Sequence, residues 1–118
     1  MGTARTTRAA MRRGDVILVR EPRSPASKAR PYVVVQRSSA LEAPAKVTAC
    51  PLTSKLNGAA GQRPFVAPTT ANGLRLPSEV EADWIYTHPI EHIGGVIGSV
   101  DAATLDAIDV ALRRWLDL

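Results

Sequence analysis

Between residues 14 and 100 the apolar residues come in short runs, each broken off by proline, glycine, serine or charge before a helix of ordinary length can form. The runs are GDVILVR (14–20), PYVVVQR (31–37), AKVTACPLT (45–53), QRPFVAP (62–68), EVEADWIYT (79–87) and GGVIGSV (94–100). Valine, isoleucine, threonine and aromatic residues mark them as strands, the last as a short strand or turn. The breaks carry loop chemistry: EPRSPASK after the first run, SKLNGAAG as a loop or helical turn, and the Asn72-Gly73 turn signal. Only from Asp101 does the period change. Leu105, Ile108, Leu112, Trp115 and Leu116 recur at helical spacing behind an aspartate placed to cap the first turn. The expected architecture is mainly β: a compact, SH3-like, partly open antiparallel β-barrel with one C-terminal α-helix packed on it.

In the fifth run Val80, Ala82, Trp84 and Tyr86 alternate with Glu81, Asp83 and Ile85, which predicts a half-buried strand with Trp84 in the core. Trp115 lies on the apolar stripe of the helix, for the core or a dimer interface.

A chain of 118 residues suits one domain, and a hydrophobic fraction of 45% argues against disorder. The single cysteine, Cys50, allows no internal disulfide and has no second thiol or histidine at metal spacing, so it reads as a small core filler. No apolar run approaches the roughly 20 residues that span a bilayer. The start, MGTARTTRAAMRRGD, lacks the apolar segment of a secretory signal. The reading is a cytoplasmic protein without membrane association, with residues 1–11 a basic disordered extension and 12–118 the domain.

Charge is unevenly spread along the chain. Residues 1–13 carry a balance of +4, residues 14–75 one of +6 and residues 76–118 one of −6. A basic first part beside an acidic last part suits a polyanion on one face, or else reflects a basic tail and scatter.

Pro31 cannot donate to a β-ladder, so Arg30 falls at the mouth of the second strand. A guanidinium there is either a surface salt bridge or a grip for phosphate, and the dipeptide leaves both open. Thr53, Ser54 and Lys55, in PLTSK, make either a plain polar strand end or a set of contacts for phosphate or ribose. His88 and His92 stand four apart, but Pro89 between them argues against a helix and no further ligand completes a metal site. They read as structural or surface residues.

Taken together, RRGDVILV, ARPYVVVQ, VTACPLTSK, RPFVAP, GLRLPSEVEADWIYT and a glycine before a terminal helix stand in the order and spacing of the MazF/PemK toxin family. The chain resembles that family from residue 12 to residue 118. The resemblance implies a CcdB/PemK-like barrel and a homodimer, the toxin of a type II toxin–antitoxin system. Such a toxin is an endoribonuclease that cuts single-stranded RNA, usually mRNA, at short sequences and is neutralised by a cognate antitoxin. Carried over by motif, Arg30 and Thr53 correspond to the catalytic pair, and Arg23, Lys28, Ser54, Lys55 and Arg63 are candidates for RNA contact.

The implied chemistry needs no metal or cofactor. The 2′-hydroxyl attacks the adjacent phosphorus, Arg30 stabilises the phosphorane and Thr53 orients the phosphate, giving 2′,3′-cyclic phosphate and 5′-hydroxyl ends. An arginine, with a pKa above about 12, is a poor base, so the base is unassigned. The first loop, PRSPASK, departs from the family, and the Arg-x-Asp pair of the PemK branch is replaced by Glu81 and Asp83. Two alternatives stand beside this reading. One is a CcdB-like, non-catalytic gyrase poison, which the ending RRWLDL superficially resembles, and the other is a degenerate relative that binds RNA without cutting it.

Overall fold

The computed structural model describes residues 11–20, 28–58 and 61–118. Its elements are β1 (Asp15–Val19), β2 (Arg30–Val34), β3 (Lys46–Thr53), β4 (Phe65–Val66), β5 (Ser78–Val80), β6 (Tyr86–Pro89), β7 (Ile93–Ser99) and α1 (Ala102–Leu116). The strands form one sheet in the order β4-β5-β3-β2-β1-β7, with β6 added to β3. Every pairing is antiparallel. β1 and β7 slip register after Val16 and again after Leu18, bulges that curl the sheet into a half-barrel.

Both faces of the central strands are covered, which explains why VILV and YVVV are apolar throughout rather than alternating. Ile17, Val19, Tyr32, Val34, Val47 and Ala49 pack on one face with Leu41 and Ile93. Their neighbours Val16, Val33, Cys50 and Leu52 pack on the other with Val80 and Ile108 of α1. Asp101 caps α1 by accepting a hydrogen bond from Thr104 N at 2.8 Å. Arg13 ties the helix to the sheet, donating from Nε to Val35 O and pairing its guanidinium with Asp109. Met11, 3% exposed, belongs to the first core, so the folded unit takes in a residue that the sequence reading placed in the extension.

Two expected strands differ. Of QRPFVAP only Phe65–Val66 pairs, because Pro64 and Pro68 bracket it and neither can donate to a ladder. EVEADWIYT is not one strand. β5 pairs with the end of β3 (Leu52↔Val80) and β6 with its beginning (Ala49↔Tyr86), so three residues are inserted along one edge at a turn closed by Trp84 N to Glu81 O, 2.9 Å. An odd insertion inverts the phase of a two-residue period. Val80 therefore faces one core, while Tyr86 lies on the other side against Tyr32, and Trp84, in the turn, is 52% exposed rather than buried. Trp115 is also exposed, at 59%, because Ile108 and Ala111 make the buried face of α1 and the last turn runs past the sheet.

Cys50 is buried in the second core, as a filler would be. Burial, reinforced by the charge of Asp83, pushes its thiol up to about 12. The thiolate is then scarce at neutral pH, and native protein should stay unlabelled by iodoacetamide while urea-unfolded protein labels fully.

Candidate active site

The register Tyr32↔Pro51 between β2 and β3, continued by two residues, sets Arg30 at the start of β2 beside Thr53 at the end of β3. Both side chains line a cleft of about 650 Å³. Thr53 Oγ1 accepts a hydrogen bond from Lys55 N at 3.1 Å, which fixes the turn after β3 and leaves the hydroxyl proton free to be donated elsewhere.

That turn is held from β5. Glu79, only 4% exposed and opposite Thr53 in the ladder, accepts from Asn57 N at 3.1 Å and from Gly58 N at 3.0 Å. Its carboxylate thus stops the 54–58 backbone from fraying and sets where Ser54 and Lys55 stand. Glu79→Ala should loosen this turn and cost about 2 kcal/mol, read as a lowered urea midpoint.

The rest of the cleft comes from the segment 69–78. Asn72 organises it: Oδ1 accepts from Thr69 N and Leu74 N, both at 3.0 Å, and Nδ2 donates to Ala67 O at 2.8 Å. Gly73 takes the left-handed conformation, φ 71°, against the backbone of Ile97. Ser99 N donates to Ala71 O at 2.9 Å and pins the arm to β7. Leu74, Arg75 and Leu76 are thereby delivered to the cleft.

Three cations, Arg30, Lys55 and Arg75, and three hydroxyls, Thr53, Ser54 and Ser78, meet there over apolar surface from residues such as Leu18, Leu52 and Ile97. Among the described residues no carboxylate lines the cleft. Four residues singled out in the sequence, Arg30, Thr53, Ser54 and Lys55, are thus brought together. Lys28 is exposed near by in sequence but does not line the cleft, and Arg23 lies outside the described residues.

Arg63 is committed elsewhere. Its Nε and Nη2 grip the Asp83 carboxylate at 3.0 and 3.1 Å, and Nη1 reaches Glu81 at 3.2 Å. The hydrogen bond from Arg63 holds the Asp83 carboxyl below the usual carboxylate range. A depressed carboxylate stabilises the fold fully above its unfolded value, near pH 4, and loses that contribution as the pH falls through the lower folded value. Asp83→Asn should therefore lower stability by about 1 kcal/mol at pH 7. The gap from wild type should close on acidification below about pH 4, as melting curves across pH would show.

The sequence reading missed Arg75. Its signal was the Asn72-Gly73 turn, but nothing local says against which strand that turn lands.

A half-open barrel whose described residues gather three cations and three hydroxyls in one cleft is a small barrel suited to holding a polyanion. The family model described as PemK-like, MazF-like toxin of type II toxin-antitoxin system matches residues 12–116, and the chain belongs to that family. It is 33% identical over 91 residues to the endoribonuclease MazF3 of Mycobacterium tuberculosis, covering 77% of this chain and 85% of that one. Among solved structures it is similar to an endoribonuclease in complex with its cognate antitoxin from a mycobacterial species, at 27% identity and TM-score 0.75, over 92% of this chain and 97% of the other. It is also similar to the Mycobacterium tuberculosis toxin MazF-mt6, at 28% identity and TM-score 0.74, over 88% and 97% of the two chains.

Proposed function

We propose that the chain, an endoribonuclease of the MazF type, cuts single-stranded RNA, mRNA above all, in this cleft and without a metal. The observation that carries the reading is the meeting of Arg30 and Thr53, at the ends of adjacent strands, in a cleft to which the described residues bring three cations and no carboxylate.

The 2′-oxygen forms a bond to the adjacent phosphorus, and the bond from phosphorus to the 5′-oxygen breaks. The 2′-hydroxyl proton goes to a base, and the departing 5′-oxygen takes up a proton. Charge builds on the equatorial oxygens of the phosphorane, where the fixed guanidinium of Arg30 is worth most. Thr53 donates its free hydroxyl proton to the same phosphate and holds it in line. Arg30 stays protonated throughout and serves as the cation, not the base. The expected ends are a 2′,3′-cyclic phosphate and a 5′-hydroxyl. Incubation with mixed-sequence RNA in EDTA, with sequencing of the fragment ends, tests this directly. Uncut RNA would defeat the reading.

The working unit is a homodimer in the cytoplasm, supported by the apolar surface that one chain leaves exposed at Trp84, Trp115, Leu116 and Leu118. The inhibitor is a cognate antitoxin whose acidic segment covers the cations of the cleft, in line with the complex formed by the mycobacterial relative. The CcdB-like alternative, binding of gyrase through the C-terminus, needs Trp115, exposed in the single chain, to stay exposed in the dimer. That alternative requires toxicity to survive Arg30→Ala and to be lost with Trp115→Ala.

A further inference from the structure

Three arginines of the described residues are committed within the fold, and three other cations share the cleft. Arg13 is spent on Asp109 and Val35, Arg63 on Asp83 and Glu81, and Arg37 on Ser39. Arg30, Lys55 and Arg75 make no ion pair among the described residues, and all three line the same cleft. Arg30 and Lys55 come from the ends of β2 and β3. Arg75 comes from the arm 69–78, which is braced on β7.

The arm is irregular yet fixed at each bend. Asn72, 4% exposed, spends its amide on three backbone groups, Gly73 supplies the left-handed turn, and Ser99 holds Ala71. A cation on such a support loses little freedom when it grips a ligand, unlike one on a free loop. Arginine is also the side chain whose planar fork matches a phosphate through two parallel hydrogen bonds.

We propose that Arg75 is a second phosphate anchor of the cleft, gripping a non-scissile phosphate of the bound strand while Arg30 and Thr53 hold the scissile one. The inference rests on the reading of the cleft as the RNA site. Arg75 fixes the register of the strand over the catalytic pair and contributes to binding rather than to the bond-breaking step.

The test uses full-length protein and an RNA oligonucleotide carrying a single 2′-deoxy substitution at its mapped cleavage position, so that it binds without being cut. Affinity is measured at several salt concentrations for wild type, Arg75→Ala, Arg75→Lys and, as a charge control, Lys46→Ala. Lys46 begins β3, at the far end of the eight-residue strand from Thr53. Arg75→Ala should bind about 10-fold more weakly at low salt, and the slope of log K against log salt should be shallower by about 0.7, the value for one fewer phosphate neutralised on a single strand. Arg75→Lys should restore the slope and part of the affinity, while Lys46→Ala should match wild type. With the uncut parent RNA, Arg75→Ala should raise KM and leave kcat within about two-fold, with an unchanged melting temperature. Wild-type slope and affinity in Arg75→Ala, or a reduced kcat at unchanged slope, would overturn the anchor while leaving the RNA reading intact. A wild type that neither binds nor cuts RNA would overturn the RNA reading first, and the anchor with it.

Discussion

Arg30→Ala is expected to slow RNA cleavage by about 100- to 1000-fold, the usual effect of removing one fixed donor to a developing charge. Its melting temperature should stay close to that of wild type. Arg30 is exposed, makes no ion pair among the described residues, and stands at the strand end rather than in either core. Truncating it therefore removes charge from the cleft and little else. Arg30→Lys should recover only part of the rate, because an ammonium keeps the charge but lacks the planar fork. Single-turnover kinetics on a cleavable oligonucleotide separate the two. If Arg30→Ala kept wild-type turnover, the chemistry would have to be sought elsewhere in the cleft, with Lys55 and Arg75 as the next cations to remove.

Gly98→Ala should be among the most damaging single methyls at the described glycines. A Cβ at this position in β7 would lie 2.5 Å from Asn72 C and 2.7 Å from Asn72 O, and closer still to Ala71 O. These are backbone atoms of the arm and cannot rotate aside. Relief requires the arm to lift from β7, which breaks the bond from Ser99 N to Ala71 O and withdraws Arg75 and Leu76 from the cleft. The expected cost is about 3 kcal/mol. For a domain of this size that is a fall in melting temperature of about 10 °C, with RNA affinity falling alongside. Gly94→Ala, on the same strand, is the matched comparison. Its added Cβ would meet Leu18 O at 3.6 Å, ordinary contact, and should leave both properties nearly unchanged. Equal stability of the two variants would mean that the arm does not sit against β7 in solution.

The first three strands and the helix were legible because their signals are local: uninterrupted β-branched residues for strands buried on both faces, and a 3.6-residue period behind Asp101 for α1. The fifth run misled for an equally definite reason. Its alternation is real, but the three residues inserted between β5 and β6 invert the phase half way along, so that Trp84, Tyr86 and Val80 do not share a face. Arg30 and Thr53 stood out through the order of motifs, and the β2–β3 register makes them neighbours. Arg63 and Arg75 look alike as isolated arginines in a basic stretch, and the fold treats them oppositely. One is held by Asp83 and Glu81, 18 to 20 residues away in sequence, and the other is carried into the cleft with no ion pair among the described residues.

By itself, then, the sequence determined where the first three strands and the helix begin and end to within a few residues, and the mainly β class of the fold. All of these follow from the conformational preferences of neighbouring residues and from the two-residue period of the strand. The tertiary structure alone decided which cations are consumed in ion pairs, which stay available, and that the arm 69–78 closes the cleft by resting on β7. Those outcomes depend on approaches between residues distant along the chain, such as Asn72 against Gly98. A window of neighbouring residues carries no trace of the partner such a residue will find.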